Sequence, residues 1–330
     1  MRALGLLPKA HLHVHLESAI RWSTLQEIGD AHGVEIPQSD SLRFSGFRQF
    51  ADHNGLVRGC LRRWEDFRRI AVEFCEDEAA QGTRYVEVTF TAAAHGERLG
   101  ELEMPLDGVL DGLAEGQAAY GIECRVILDH SRRRSIDRAW RTLELATRYA
   151  TKGVVGIGAA GDESHPLEPL EGVFTAARDA GLHLVHHAGE TRGPTSIREA
   201  LELGLTERLG HGIRILEDAE LVAEVRERGV PLEVCPSSNL ALGLADDYAS
   251  HPLPRLREEG LLVTLNTDIP AIVGTSLTQE YILVRNTFGY DDIELADLAR
   301  AGVEASFAPD DSKARLHQQI DDWLALPAIE

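Results

Sequence analysis

No CxxC pair occurs in the sequence, and its four cysteines, Cys60, Cys75, Cys124 and Cys235, stand far apart. That spacing excludes a cysteine zinc knuckle and argues against a disulfide framework, so a reducing, cytoplasmic setting is expected. No stretch approaches the ~18 consecutive apolar residues that a membrane span requires. The opening MRALGLLP also lacks the charged-then-apolar layout of a secretory signal. Basic residues are scarce: 33 Lys and Arg face 54 Asp and Glu, a formal charge of −21. On average such a surface repels nucleic acid and anionic membrane, and a small neutral or cationic substrate is easier to reconcile with it. Also missing are HExxH, the P-loop GxxxxGK[ST], GxSxG, a paired GxGxxG after the first strand, and the HxE with PCxxC of zinc nucleobase deaminases. The glycines of VVGIGAAG (154–161) have no lysine to make a phosphate cradle.

What the chain does have is 330 residues with 43% hydrophobic content, enough for a large core and long for one ordinary domain, though not for an α/β barrel. Eight short β-branched or apolar runs recur, at 9–16, 84–90, 123–129, 153–158, 182–188, 208–212, 231–236 and 261–267. Helical spacing fills 64–82, 169–181, 196–204 and 218–229, and the last three end on a glycine suited to a C-cap. Eight strands alternating with helices predict a (β/α)8 TIM-type barrel, with a doubly wound open sheet as the alternative. No linker or repeat divides the chain, so 1–330 reads as one domain. Residues 17–83, including FSGFRQFADHNGL (44–56), exceed one βα unit and predict a helical insertion after the first strand, over the barrel mouth.

Within HLHVHLES (11–18), strand residues two apart share a face, which brings His13 and His15 together near the strand's C-terminal end, where a barrel keeps its active site. His11 shares that face one pleat deeper and reads as a buried hydrogen-bonding residue. Other strand ends supply His187 and Glu190 (LHLVHHAGE), His211 (RLGHG) and Asp268 (LNTDIP). Core histidines have no reason to gather at strand mouths. Three neutral imidazoles and a carboxylate suit zinc, with other divalent first-row metals possible, and such a metal brings the pKa of water toward ~7, which points to hydrolysis. His186 should point to the opposite face and pack against a helix, and His183 should be a satisfied core residue two pleats deeper. Cys235 reads as packing, Ser237, Ser238 and Asn239 as braces of the mouth, and Asp162 and Glu163 as either supporting or solvated loop acids. The charge run RRWEDFRR (62–69) reads as an exposed helix face.

The set PKAHLHVHLES (8–18), YVEVTF (85–90), GDE (161–163), HHAGE (186–190), TERLGHG (206–212), CPSSN (235–239) and LNTDIP (265–270) resembles the adenosine deaminase family of metal-dependent (β/α)8 hydrolases, in the family's order. The resemblance implies that His13, His15, His187 and Asp268 hold a zinc, one per chain. It implies that Glu190 protonates the ring nitrogen beside the attacked carbon, that His211 assists proton transfer, and that the Gly161 amide meets another ring nitrogen. Glu17 falls where the family places an acid near the sugar end. The implied reaction is hydrolytic loss of ammonia from an aromatic amine, usually at C6 of adenine.

Three positions depart from the family pattern. Ile269 replaces an acid that bonds N7 of the purine, Gly158 stands where an acid is common, and Ser18 replaces a glycine. An isoleucine cannot bond N7, and an unpaired N7 costs on the order of 1–3 kcal/mol. The chemistry therefore reads as intact and the ring recognition as altered. An adenosine-type purine nucleoside is the first expectation for the substrate. The alternatives are the same reaction on aminodeoxyfutalosine, adenine, a modified nucleoside or a non-purine ring, or a non-catalytic binding paralogue. The sequence does not indicate an oligomeric state.

Overall fold

The structure is a computed structural model that describes residues 1–36 and 55–328, so most of FSGFRQFADHNGL, and with it part of the expected insertion, lies outside the described residues. Eight parallel strands form one sheet in the order β1 to β8: β1 (Lys9–His11), β2 (Thr83–Phe90), β3 (Glu123–Ser131), β4 (Val154–Ala160), β5 (His183–Ala188), β6 (Arg208–His211), β7 (Leu232–Val234) and β8 (Val263–Leu265). Each falls on an expected run. Parallel neighbours need crossovers, and the intervening helices supply them.

The sheet closes where β1 and β8 run out. Val14 and Asp268 form a parallel bridge; the His15 amide donates to the Asp268 carbonyl at 2.9 Å, and the Asp268 amide donates to the His13 carbonyl at 2.9 Å. On the other side, the Thr89 amide donates to the Val14 carbonyl at 2.9 Å. This seam excludes the open sheet and gives the TIM-type barrel.

The first strand is shorter than its apolar text. After His11 the amides of Leu12 and His13 both turn to the Oδ1 of Asn266, at 2.8 and 3.0 Å, which breaks the simple alternation. His11 consequently does not share the face of His13. It is buried and bonded, as expected, but its Nδ1 meets Glu78 at 3.0 Å on the helix Trp64–Ala80, and its Nε2 meets the Thr267 hydroxyl at 3.0 Å.

One buried charge network runs through the barrel. The Arg208 guanidinium donates to Glu87 and to Glu233, each at 2.6 Å, and to the Ala305 carbonyl at 3.0 Å. The Tyr85 hydroxyl donates to Glu87 at 3.0 Å. The run 62–69 is exposed only over Arg62–Glu65; Arg68 and Arg69 are half-buried, and Asp66 and Phe67 are buried, the Asp66 carboxylate accepting from the amides of Arg62 and Arg63 at 3.0 and 2.9 Å and so starting the helix Trp64–Ala80.

Two of the three helix-ending glycines take left-handed backbone, Gly181 (φ 77°) and Gly229 (φ 63°). Gly204 does not; it is small because a Cβ there would lie 2.6 Å from the His186 ring. Among the described residues no helix is long and apolar enough to cross a membrane.

The helices Trp64–Ala80 and Met104–Tyr120 approach closely along Gly108, Gly112 and Gly116, and a Cβ on Gly112 would sit 2.3 Å from the Arg68 carbonyl oxygen. Because that neighbour is backbone, Gly112→Val is expected to lower stability by about 2 kcal/mol in urea unfolding, the cost of overpacking. An unchanged midpoint would show that the two helices separate freely.

Candidate metal centre

The strand ends deliver the expected residues to one place. A donor atom from each of His13, His15, His187 and Asp268 lies within 4.8 Å of the others. His15 Nε2 is 3.2 Å from His187 Nε2, and Asp268 Oδ1 is 3.5 Å from His13 Nε2 and 3.4 Å from His15 Nε2. His13 Nε2 is buried without a hydrogen-bond partner. Its Nδ1 is engaged with Glu233 at 2.7 Å, and Glu233 is itself held by Arg208. A carboxylate on the far nitrogen orients an imidazole and raises its basicity as a ligand.

The buried groups of this pocket shift one another's protonation strongly. Burial opposes a proton on His13, yet Asp268 and Glu233 outweigh it and push the pKa up to about 10. Burial also resists ionisation of Asp268, but the close approach of His13, then the fields of His211 and His15, draw its pKa far below the carboxylate range. His187, by contrast, is driven well below its ordinary value by burial and by the neighbouring imidazoles. Three histidines, one of them with a buried orphan nitrogen, and one carboxylate fit a divalent ion such as zinc.

Two further groups adjoin the cluster. Glu190 is buried, and burial, then Asp268 and Glu163, push its carboxyl up to about 8. Its Oε1 is 3.5 Å from Nε2 of His211, whose pKa falls to about 3 through burial and then His13. His211 and Asp268 both adopt left-handed backbone, φ 67° and 63°. Such conformations cost a side-chain-bearing residue of order 1 kcal/mol or more and persist where surrounding structure over-determines them. Around Asp268 the seam does so, together with the Ser238 hydroxyl, which donates to Oδ2 at 2.5 Å.

Glu163, ambiguous in the sequence, clamps the loop carrying Glu190. Its carboxylate accepts from the amides of Gly189, Glu190 and Thr191 at 3.0, 2.9 and 2.9 Å. Asp162 is a loop acid that caps the Ser164 amide at 2.9 Å. Asn239 Nδ2 lies 3.3 Å from His211 Nδ1, and Ser237 bonds the Tyr248 hydroxyl at 3.3 Å, so CPSSN braces the floor. Cys235 is fully buried, and burial, then the acids around it, raise its thiol well above the ordinary value, which makes it a packing residue.

A cavity of about 620 Å³ opens above the cluster, with His15, His187, Glu190, His211 and Asp268 on its walls. Glu17, Ser18 and Gly161 line it too. The Glu17 carboxylate is occupied by the Thr91 amide and by His95 Nε2, both at 3.1 Å; burial opposes its charge, but His95 outweighs that and lowers the pKa to about 2. Gly161 is left-handed, φ 92°. Ile269 is 0% exposed and is not among the cavity walls. At Gly158 an acid is sterically barred, since a Cβ would lie 2.3 Å from the Val185 carbonyl oxygen.

His186 faces away from the cluster, as expected, with Nδ1 accepting from the Ala159 amide at 3.0 Å and Nε2 donating to the Gly204 carbonyl at 2.8 Å. His183 is not a core residue. Its side chain is 39% exposed, bonds Glu207 at 2.9 Å and stacks on Phe307 with ring centres 3.7 Å apart. It lies at the start of β5, where the barrel floor meets solvent.

Sequence reasoning missed Glu87, Arg208 and Glu233. The pointer was there in each case: a charged residue inside an otherwise apolar run, as in YVEVTF, RLGHG and PLEVCP. If Glu233 orients His13, Glu233→Gln should weaken zinc affinity 10- to 100-fold in a chelator competition. Unchanged affinity would mean that the cluster is oriented without it.

Residues 8–323 match the family model described as adenosine deaminase. A putative adenosine/adenine deaminase of Streptomyces coelicolor is 36% identical, with 98% of each chain covered. An aminodeoxyfutalosine deaminase of the same organism is also 36% identical, over 97% of this chain and 85% of the relative. Among solved structures, an adenine deaminase from Arthrobacter aurescens superposes with a TM-score of 0.90 at 31% identity, covering 97% of this chain and 99% of that one. A Burkholderia ambifaria amidohydrolase with bound Zn does so at 0.87 and 25% identity, covering 98% and 94%. The chain belongs to the adenosine deaminase family and is a hydrolase acting on C–N bonds.

Proposed function

We propose that the protein removes ammonia hydrolytically from the amino group of an adenine-type ring, with zinc held by His13, His15, His187 and Asp268. The observation that carries this reading is the orphaned Nε2 of His13, facing two imidazoles and a carboxylate beside a carboxyl pushed up to about 8. A zinc-bound relative with the same fold and the adenosine/adenine deaminases among its relatives support it. When bound, zinc supplies Lewis acidity that brings the pKa of water toward ~7.

The remaining work falls to the chain. Glu190, kept protonated by burial, delivers a proton to the ring nitrogen next to the reacting carbon, which lets that carbon accept a nucleophile. His211, kept neutral by burial, accepts a proton from the attacking water through Nε2 and returns one to the departing amine. Ser238 fixes Asp268, and Glu163 fixes the backbone of Glu190. The Gly161 amide orients the ring from the opposite wall, and Glu17 shapes the far end of the cavity through Thr91 and His95.

Adenosine and adenine are the first candidate substrates. The position of Ile269, off the cavity wall, favours a second reading in which the same chemistry serves another amine, such as aminodeoxyfutalosine or a modified nucleoside. Zinc-loaded protein assayed for ammonia release against amino-purines, amino-pyrimidines and pterins tests both, and silence across the panel with zinc bound would refute the deaminase reading. Chelation should abolish turnover, and zinc should restore it. Glu190→Gln is expected to lower kcat by 10² to 10⁴ while zinc content and melting temperature hold; a variant within threefold of the parent would remove Glu190 from the proton transfer.

A further inference from the structure

The cavity wall farthest in character from the metal-type cluster is cationic. Arg58, Arg133 and Arg134 line it, and among the described residues none has a hydrogen bond or ion pair from its guanidinium. Arg133 and Arg134 are exposed and Arg58 is half-buried, whereas Asp268, Glu190 and His211 are buried, so the arginines mark the outer end and the cluster the floor. Two other arginines on the wall are already engaged: Arg138 donates to Glu97 at 2.6 Å, and Arg98 lies 3.3 Å from His95 Nδ1.

Among the acids of the cavity, Glu17 and Asp129 lie in the field of Arg58, which leaves Arg133 and Arg134 as the cationic pair with no cavity acid facing them. Glu17 is taken by Thr91 and His95, Glu97 by Arg138 and Arg141, and Glu190 and Asp268 belong to the floor. Asp129 is buried, and burial pushes its carboxyl up, toward the uncharged form.

A second observation lies on the same wall. His130 is 3% exposed, and although the Arg134 backbone lies near its ring, neither ring nitrogen has a hydrogen-bond partner at ordinary distance. A buried imidazole left unbonded is costly unless a ligand meets it. His130 ends β3 and Arg133 and Arg134 follow in the next turn, so one loop, DHSRRRS (129–135), presents all three groups to the cavity.

In a chain of formal charge −21, three guanidiniums without an ion pair lining one cavity run against the average field. Arginine prefers planar, bidentate anions such as carboxylate and phosphate. We propose that this wall receives an anionic substituent, a carboxylate or a phosphate, carried by the substrate at the end remote from the reacting ring. This deepens the deaminase reading, on which it rests for which end of the ligand faces the floor. It also reverses the expectation of a neutral or cationic substrate that overall charge suggests.

Ligands already deaminated allow the wall to be tested without turnover. Zinc-loaded full-length protein would be titrated calorimetrically, at low salt, with inosine, inosine 5′-phosphate and the corresponding inosine 5′-carboxylate. At least one anion is expected to bind ten times more tightly than inosine, and the preferred anion identifies the source. In the double variant R133Q/R134Q, whose side chains are exposed, that preference should vanish while inosine affinity stays within twofold; R58Q should show a smaller loss. Equal affinities in the parent, or a preference that survives in R133Q/R134Q, would overturn the proposal. Ammonia release from adenosine alongside equal affinities would sink only the anionic wall. A preference for the anion without ammonia release from any amino-purine would sink only the deaminase reading.

Discussion

The barrel closes on backbone bonds made by residues of the metal-type cluster. Between β1 and β8 there is no extended ladder; the His15 amide reaches the Asp268 carbonyl, and the Asp268 amide reaches the His13 carbonyl. Three donor residues are thus placed by main chain rather than by long flexible side chains, and the left-handed turn at Asp268 is held in the same seam. Only His187, on β5, must arrive from across the barrel, and its carbonyl is gripped by the buried Arg132. A site built on strand ends in this way is better pre-organised than one carried on a loop.

Beneath that seam runs a line of buried charge, from His13 through Glu233 and Arg208 to Glu87. Stability alone does not explain it, since well-packed apolar residues often serve a barrel core as well as a buried ion pair does. Its position explains more: the line ends on the nitrogen opposite the orphaned Nε2, and so fixes the imidazole that the cluster depends on. The same low-dielectric floor has opposite effects on two groups close to each other. It keeps a proton on Glu190 and keeps one off His211, and groups pushed apart in this way divide into acid and base.

Much of this was legible in the chain. All eight strands could be located because a two-sided buried strand writes itself as a short apolar run. His13, His15, His187, Glu190, His211 and Asp268 stood out because polar residues at strand mouths have no packing reason to be there. What stayed hidden depends on contacts between distant segments. Asn266 capturing two amides after His11 turns that histidine toward Glu78, and no local pattern announces it. His183 has the inward parity of a core residue yet sits at the open end of β5, because parity says nothing about depth. Gly204 looked like a helix cap and is instead a gap left for an imidazole. Glu163 could be assigned only once the three amides it binds were located.

The account rests on four side chains converging on one cation. Crystals grown with zinc and measured on either side of its absorption edge would locate that ion directly by anomalous scattering. One peak per chain within 2.0–2.3 Å of nitrogens of His13, His15 and His187 and an oxygen of Asp268 is the predicted result. A peak bound by other residues, or none at this cluster after saturation with zinc, would contradict it.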